Sequence, residues 1–594
     1  MVTKQKSNFN KYPEIKVAGH ECIQGWPSVI NAILQEFSNS DSIKQLLTIE
    51  CYPGVDCNEI KDELSKGIDA VFIDAGSALK PKEQIDEMVY PFVTDDPVFG
   101  YMAPLDLINF FDEEKIKELQ QKVYSADGKR VIVFGTGASL ITGNQGVLVY
   151  ADMPRWEIQL RFRKKLTGNI GASNEDAEFS YQYKRAFFVD WRVCDRHKKN
   201  LFSRNNYILD TTLAGNPKMI SADAFVDALY KAVSRPFRVV PFFDPGPWGG
   251  QWLKEVCDLD RLQQNFAWGF DCVPEENSLL FRFADAVFET PAINLVFMQP
   301  ARLLGKKVYE AFGDEFPIRF DFLDTMDGGN LSLQVHPLKS YIREKFGMPY
   351  TQDESYYILD AKDEAFVYLG LKENIEPAKM LDALESAQAG DEMFDAEAYV
   401  EKWPVKKHDH ILIPAGTVHC SGADSVVLEI SATPYIFTFK LWDWGRMGLD
   451  GKPRPISLAH GKQVIQWNRT ANWTKENIIN QFEVVSEGND FREERTGLDE
   501  TSFIETRRHW FTGKVYHNTN GNLNVLNLVE GREIIVESPT NEFEPYIIHY
   551  AETFIVPAVT GAYTIRPYGE SEGKQCATIK ASVRTENLVD YRIN

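Results

Sequence analysis

The stretch Leu331-Ser-Leu-Gln-Val-His-Pro337 decides how the second half of the chain is interpreted. Its apolar and β-branched residues predict a short strand. Because successive side chains of a strand alternate between faces, Gln334 and His336 share one face, and Leu333 and Val335 the other. Buried polar groups require partners. The polar pair therefore indicates that ligating or hydrogen-bonding groups from elsewhere in the chain meet it.

Two later residues complete a candidate metal site. Glu354 stands at the head of a predicted strand, and His419 follows Ile413-Pro-Ala-Gly-Thr-Val, where proline and glycine predict a turn that aims the imidazole inward. Together with Gln334 and His336 they form a mixed oxygen and nitrogen set. Such a set suits one divalent metal such as Zn²⁺, with a coordination position open for substrate or water. The alternative for His419 alone is a surface turn.

The surroundings of this stretch predict an all-β architecture. From residue 241 onward, short β-like runs alternate with turn signals, which is typical of jelly rolls. One helical insert is predicted at about Pro377 to Lys402. The predicted strands are Ile293–Met298, Arg319–Leu323, Asn330–Val335, Ser355–Leu359, Ala365–Leu369, His410–Ile413, Val426–Ile430, Asn524–Leu528, Glu533–Glu537, Tyr546–His549, Thr553–Val556 and Ala562–Ile565.

The N-terminal part has a different pattern. Apolar strand-like runs alternate with amphipathic helical stretches, which predicts an α/β domain with a largely parallel sheet. The Pro/Gly-rich stretch at 241–250 is a candidate boundary. We expect an α/β domain at 1–240, a metal-binding jelly roll at 241–470 and a second jelly roll at 471–594. The predicted strands are Leu46–Glu50, Ala70–Asp74, Val131–Phe134 and Val147–Tyr150, and the predicted helices are Trp26–Phe37, Ile116–Val123 and Ala222–Val233.

Composition excludes several classes of protein. The 594 residues include 86 acidic and 64 basic ones, a formal charge of −22, and no basic stripe stands out, so nucleic acid is not an expected partner. Apolar runs fall short of the ~20 residues of a membrane span, and the N-terminus lacks the apolar core of a secretory signal. Eight cysteines without a CxxC motif favour a reducing, cytoplasmic compartment. The oligomeric state stays open.

The ordered motifs resemble a known family. The runs Phe322-Leu-Asp-Thr, Leu331–Pro337, Glu354-Ser-Tyr-Tyr-Ile-Leu, Ile413–His419 and Val427-Leu-Glu-Ile resemble class I mannose-6-phosphate isomerases, zinc-dependent cupins, in their short bacterial form with two cupin modules. Pro247–Trp252 and the segment that ends at Gly451-Lys-Pro-Arg-Pro resemble further motifs of that family.

The resemblance implies an activity and a set of site residues. It implies interconversion of mannose 6-phosphate and fructose 6-phosphate through a cis-enediol, with Gln334, His336, Glu354 and His419 as zinc ligands. Lys339 matches a substrate-site lysine, and Glu429 an acidic residue near the sugar. The proton carrier stays open between Glu429, Lys339 and a metal-bound water. The alternative for Glu429 is a structural carboxylate paired with Arg446.

This chain also departs from the family pattern. The substrate-site arginine is replaced by Lys440, so Arg446 and Lys440 are the candidates for binding phosphate, and Gln352 stands where a lysine is expected. Lysine lacks the planar fork that grips phosphate at two points. Two alternatives follow: a non-catalytic sensor of a sugar or sugar phosphate, or an isomerase for a different sugar. Trp442, Trp444 and Tyr435 are candidates for sugar stacking or for core packing.

The N-terminal domain weakly resembles P-loop nucleoside or nucleotide kinases. Val131-Ile-Val-Phe-Gly-Thr-Gly-Ala-Ser-Leu140 is a strand that runs into a glycine-containing turn, and an arginine-rich stretch, Arg155–Lys165, follows. The Gly-Lys pair of a Walker A motif is absent, since Leu140 and Ile141 take its place. We therefore expect a degenerate module, used for packing or regulation, that transfers no phosphate from ATP.

Overall fold

The computed structural model of the chain describes residues 6–39, 45–126, 128–143, 145–432, 436–447, 456–496, 502–586 and 588–592. Tyr435 and the motif at 451–455 lie outside these ranges. The described chain forms two compact units. The α/β unit comprises residues 14–232 and 275–299, and the β unit comprises the described parts of 1–13, 233–274 and 300–593. The chain thus passes between the units more often than consecutive domains would require, and the division at 240 and 470 stays a prediction.

A seven-stranded sheet forms the centre of the α/β unit. Its central strands, such as Leu46–Cys51 and Val131–Gly135, are buried at every position, which is typical of parallel strands covered on both faces. Five neighbouring strands are parallel, as predicted, and Lys218–Ser221 pairs antiparallel. The strand order is Ile23–Gln24, Lys218–Ser221, Tyr207–Asp210, Val147–Asp152, Leu46–Cys51, Val131–Gly135, Val71–Asp74.

Helices and a small sheet complete this unit. Asp56 illustrates why a helix begins where it does, because its carboxylate accepts hydrogen bonds from the backbone N–H groups of Asn58 and Glu59. A three-stranded sheet contains Glu14–Lys16, Ser278–Phe283 and Ala286–Pro291. The helices are Trp26–Asn39, Cys57–Gly67, Lys82–Val93, Glu113–Ser125, Ala138–Thr142, Arg155–Arg163, Phe179–Arg185, Ala186–Asp190 (a π-helix), Trp191–Leu201, Ala222–Val233 and Ile293–Met298.

The prediction of a strand at Ile293–Met298 is wrong, because the segment is a helix. A short apolar run has no periodicity that separates a buried strand from a buried helix. The Asn294 amide donates to Thr290 Oγ1 in the preceding strand and to Asp152 Oδ2, which is distant in the chain, both at 2.9 Å. The second of these is a tertiary contact that no local pattern encodes.

Two facing sheets form the first barrel of the β unit. All strands predicted between 319 and 430 are found, although the one at Asn330–Val335 shortens to Leu333–Val335. The six-stranded sheet has the order His410–Ile413, Glu354–Ala361, Ser425–Ala432, Ile318–Asp324, Trp268–Cys272, Phe242–Asp244. The five-stranded sheet has the order Val400–Pro404, Phe366–Leu371, His419–Ser421, Leu333–Val335, Phe439–Trp442.

A second barrel follows it in the chain. Its six-stranded sheet has the order Glu483–Glu487, Phe491–Arg495, Ile504–Phe511, Cys576–Val583, Asn524–Glu530, Thr553–Val556. The four-stranded sheet has the order Val515–Asn518, Ala562–Pro567, Glu533–Glu537, Tyr546–His549. The α-helices of the β unit are Trp252–Val256, Pro300–Leu304, Lys306–Phe312, Lys339–Phe346, Pro377–Ala389, Ala396–Tyr399, Leu458–Gly461 and Ala471–Asn477. Among the described helices of both units, none is long and apolar enough to cross a membrane.

Candidate metal centre

Both sheets of the first barrel contribute to the candidate metal site. Gln334 and His419 lie directly opposite each other on antiparallel strands, so their side chains share a face. His336 follows the end of the Gln334 strand, on the same face by the two-residue repeat of strands. Glu354 is the first residue of a strand in the facing sheet. All four residues predicted as metal ligands are buried in the barrel interior.

Three of the four converge closely. One ligand atom each from His336, Glu354 and His419 lies within 4.8 Å of the others. Nε2 of His336 is 2.9 Å from Oε2 of Glu354, and Nε2 of His419 is 2.8 Å from Oε1. The Gln334 side-chain nitrogen lies 3.3 Å from Nε2 of His419. Burial opposes ionisation of Glu354, but the two imidazoles outweigh it and hold the pKa of that carboxyl below its ordinary value.

The outer nitrogens of both imidazoles are tied to backbone carbonyls. Nδ1 of His336 donates to the carbonyl of Phe437 at 3.3 Å, and Nδ1 of His419 to that of Thr417 at 2.8 Å. This turns Nε2 of each ring towards Glu354. Among the described residues, Nε2 of His336 and Oε1 of Glu354 have no hydrogen-bond partner. Buried nitrogen and oxygen atoms that converge in this way fit a divalent cation.

A second buried cluster lies beside the triad. Glu429 and Asp321 are directly opposite on paired strands. The Gln352 amide donates to Oε2 of Glu354 at 3.0 Å and to Oε1 of Glu429 at 3.2 Å, so it bridges the two clusters. The Arg319 guanidinium lies 2.9 Å from Asp321 and 3.8 Å from Glu429.

Sequence reasoning missed Arg319 and Asp321. Their signal is visible, because Ile318-Arg-Phe-Asp-Phe places two charges on one face of an otherwise apolar strand. The alternative that paired Glu429 with Arg446 is wrong: the cation beside Glu429 is Arg319, and Arg446 donates to Asp443 at 2.7 Å.

The two carboxyls of this cluster have raised pKa values. Burial raises the pKa of Asp321 to about 6, although Arg319 opposes the shift. Burial raises the pKa of Glu429 well above its ordinary value, and the negative charges of Asp321 and Glu354 raise it further. Both carboxyls therefore take up a proton more readily than an exposed carboxyl does.

The predicted phosphate-binding cations occupy different places. Lys440 lies opposite Gln334 across a strand pair. Lys339 is exposed at the start of its helix, with its ammonium 4.9 Å from the centre of the Tyr591 ring. Arg446 is held by Asp443, which also accepts a hydrogen bond from Ser332 at 2.7 Å.

The two candidate sugar-stacking tryptophans pack against neighbouring rings. Trp442 is buried against Phe394, with ring centres 6.3 Å apart. Trp444 packs on Tyr368, with ring centres 5.3 Å apart. Both contacts are of the kind expected from core packing.

In the α/β unit, the glycine-containing turn is occupied by the chain itself. Gly137 adopts a positive φ of 89°, and the backbone N–H groups of Gly137 and Ser139 donate to the Glu50 carboxylate at 2.6 and 2.8 Å. These groups would be the ones to hold a phosphate in an anion-binding loop. A buried carboxylate takes that place here.

One family model and several curated proteins match parts of the chain. The model of a domain of unknown function, DUF8485, matches residues 25–234. The chain is 24% identical to the mannose-6-phosphate isomerase of Streptococcus mutans over 229 residues, 38% of this chain. It is 29% identical to the mannose-6-phosphate isomerase ManA of Bacillus subtilis over 234 residues, 39% of this chain. The matches span 66% and 69%, about two thirds, of those relatives' lengths.

Solved structures were compared as well. The mannose 6-phosphate isomerase from Bacillus subtilis has 18% identity and a TM-score of 0.47, and the alignment covers 58% of this chain and 99% of that one. A phosphomannose isomerase from Salmonella typhimurium has 12% identity and a TM-score of 0.44, and the alignment covers 59% and 100% of the two chains.

Proposed function

We propose that the protein is a class I, zinc-dependent isomerase that interconverts mannose 6-phosphate and fructose 6-phosphate through a cis-enediol. The observation that carries this proposal is the buried cluster of His336, Glu354 and His419, with ligand atoms within 4.8 Å of one another. The sequence relatives that are named mannose-6-phosphate isomerases support the choice of reaction.

The donor set suits Zn²⁺. Two neutral imidazoles and one carboxylate leave the bound ion with a net charge of +1, and the Gln334 amide, beside His419, would complete the set. When bound, the ion supplies Lewis-acid stabilisation of the negative charge that develops on the sugar oxygens.

The chain's own groups would manage the proton and the phosphate. We assign the proton transfer between C1 and C2 to Glu429: its carboxylate takes the proton from one carbon and returns it to the other, and a raised pKa makes it a stronger base than an exposed carboxylate. Gln352 orients Glu429, because its amide also donates to the ligand Glu354. Lys339, Lys440 and Arg446 are the cations assigned to the phosphate group.

Metal analysis combined with an isomerase assay tests the proposal. Purified protein should contain about one divalent ion per chain, and a chelator should abolish turnover of mannose 6-phosphate. His336→Ala should lose both metal and activity, because it removes one of the two imidazole ligands. His20→Ala is the matched control, since that histidine pairs with Asp227 in the α/β unit, and it should keep both.

Two results would contradict the proposal. A His336→Ala variant that stays fully loaded with metal would show that the ligand set is wrong. A metal-loaded protein that binds mannose 6-phosphate without turnover would favour the sensor, and turnover of another sugar alone would favour an isomerase of different specificity.

A further inference from the structure

The interior of the second barrel changes from apolar to polar along its axis. One end is a core that includes Phe511, Val515, Leu528 and Cys576. The strands Ile504–Phe511 and Cys576–Val583 pair antiparallel and run along this change. Going from the apolar to the polar end, the opposed residues are Phe511 and Cys576, His509 and Thr578, Arg507 and Lys580, and Glu505 and Ser582. Because alternate residues of a strand share a face, these pairs point into the same interior. The polar side chains at this end of the barrel are therefore held in place by the register of the strands.

Three cations form a row across this polar end. Arg495 lies opposite Arg507, and Arg507 lies opposite Lys580 on the next strand. Like charges directly opposite one another destabilise a sheet unless an anion compensates them. Arg507 has two carboxylate partners, Glu493 at 2.9 Å and Glu505 at 2.6 Å.

The third cation of the row has no such partner. Among the residues that the structure describes, no carboxylate lies within 4.0 Å of the Lys580 ammonium. Burial lowers the pKa of Lys580 to about 8, and Glu493 only partly opposes the shift. Arg495 lies 3.9 Å from Glu505 and 4.0 Å from Glu483, so within the row it is Lys580 that lacks a carboxylate of its own among the described residues.

A cavity opens on this row. Its volume is about 540 Å³, within the ~300–1,000 Å³ range of small-molecule sites. Arg584 adds a fourth cation, and Asn522, Asn524, Thr519 and Ser582 add amide and hydroxyl groups. Oδ1 of Asn522 is buried and, among the described residues, lacks a hydrogen-bond partner. Two carboxylates, Glu505 and Glu586, also line the cavity, so its four cations outnumber its anions. Cations together with neutral amides and hydroxyls match a ligand that carries both an anion and hydroxyl groups.

We propose that this cavity binds a small phosphorylated polyol, of the sugar phosphate class, at a site separate from the metal centre. The phosphate lies against Arg507 and Lys580, and the hydroxyls meet the asparagine amides and Ser582. The site lies in the second barrel, on strands other than those that carry the metal triad, so its occupation does not depend on the activity proposed above.

Calorimetric titration of the full-length protein tests this site, with glucose 6-phosphate as the probe and glucose as its uncharged counterpart. Lys580→Met should weaken one glucose 6-phosphate binding event at least ~10-fold, since a charge-assisted contact is lost. Ser582→Asp, which puts a carboxylate into the cavity, should remove the same event. Lys514→Met is the matched control on the same barrel, because the Lys514 ammonium pairs with Glu537 at 3.2 Å. This variant should bind glucose 6-phosphate as tightly as the wild type does.

The outcomes separate this site from the metal centre. Lys339→Met, on the first barrel, should keep the event that Lys580→Met loses. If the event disappears in Lys339→Met and persists in Lys580→Met, the probe binds at the metal centre and the proposal is overturned. Equal binding of glucose would overturn the anion assignment. Thermal melting of each variant verifies that it is folded, and Ser582→Asp decides the matter if Lys580→Met does not fold.

Discussion

At the scale of single residues, the barrel interiors hold charges whose environment sets their protonation. Glu429 is buried opposite Asp321, and burial raises the pKa of its carboxyl well above the ordinary value. Lys580 is surrounded by strands that bring another cation towards it. Replacing Glu429 therefore tests a role in catalysis, and replacing Lys580 tests an effect of a buried charge on stability.

Replacing Glu429 by glutamine should slow isomerisation without removing the metal. The amide keeps the shape of the side chain and cannot carry the proton, and general acid–base groups contribute ~10²–10⁴-fold to rate. We expect turnover to fall by that factor while the metal content stays at the wild-type value. Glu364→Gln, at an exposed position, is the control. Unchanged turnover of Glu429→Gln would transfer the proton-carrying role to Lys339 or to a metal-bound water.

Lys580 should make stability depend on alkaline pH. Its folded pKa of about 8 lies below the ordinary 10.5, so between these values the unfolded chain binds a proton that the folded chain does not. The contribution of Lys580 to the free energy of unfolding therefore becomes more favourable as the pH rises from about 8 to 10.5. Below pH 8 the buried ammonium destabilises the folded protein most. Urea unfolding should show Lys580→Met more stable than wild type at pH 7, with an advantage that shrinks towards pH 10.5. If Lys514→Met showed the same pH-dependent gain in stability, the effect would not come from the burial of Lys580.

At the scale of elements, one turn of the α/β unit looks like an anion-binding loop and is held by a side chain of the protein. The strand Val131–Gly135 runs through this turn into the helix Ala138–Thr142. Glu50, at the end of the adjacent parallel strand, accepts the N–H groups of Gly137 and Ser139. The carboxylate therefore links two elements of the sheet.

Glu50→Ala should destabilise the α/β unit. Two buried N–H groups lose their acceptor, at a cost of about 1–3 kcal/mol for each unsatisfied group. The free energy of unfolding, measured by urea denaturation, should therefore fall by at least about 1 kcal/mol. Glu87→Ala, on an exposed helix position, should change it by less than about 0.5 kcal/mol. Equal stability of the two variants would mean that the turn does not depend on Glu50.

At the scale of the whole molecule, the chain carries two compact units, and the proposed activity belongs to the β unit. The segment 275–299 lies in the α/β unit although β-unit residues precede and follow it. Its strands Ser278–Phe283 and Ala286–Pro291 bury Phe281 and Phe288 within that unit. A single cut in the chain therefore does not separate the two units.

A fragment of residues 241–594 should be less soluble than the full chain. It carries the segment 275–299 without the rest of the α/β unit, so Phe281 and Phe288 become exposed and favour aggregation. The soluble fraction after expression and the melting temperature measure this. The material that stays soluble should retain the metal, because all four proposed ligands lie within the fragment. A fragment as soluble and stable as the full chain would support the predicted boundary at 240.

Residues 1–240 should neither hydrolyse ATP nor transfer its phosphate. The turn brings no lysine to the β- and γ-phosphates, and its N–H groups are bonded to Glu50. The arginines of this unit have partners as well: Arg161 pairs with Glu157, and Arg185 lies near Asp190. ATPase and kinase assays on the full chain, with a panel of nucleosides and sugars, should detect no turnover. Rates near ~1–100 s⁻¹ would instead make the protein bifunctional.

The sequence by itself predicted most of the local elements and named the residues of the candidate metal site. Periodicity located the parallel strands and most of the barrel strands, because burial on one or both faces leaves a pattern in adjacent residues. The ordered set of Gln334, His336, Glu354 and His419 was identified because its residue types share one chemistry, and the structure brings three of them within 4.8 Å.

Only the tertiary structure decided which distant groups meet. Strand register, which no local pattern encodes, places Glu429 opposite Asp321 and beside Arg319 instead of Arg446. Register also aligns Arg495, Arg507 and Lys580 into one row of cations. The helix at Ile293–Met298 depends on contacts with Asp152, far away in the chain. Pairings between segments that are remote in sequence depend on how the whole chain packs, and so they appear only in three dimensions.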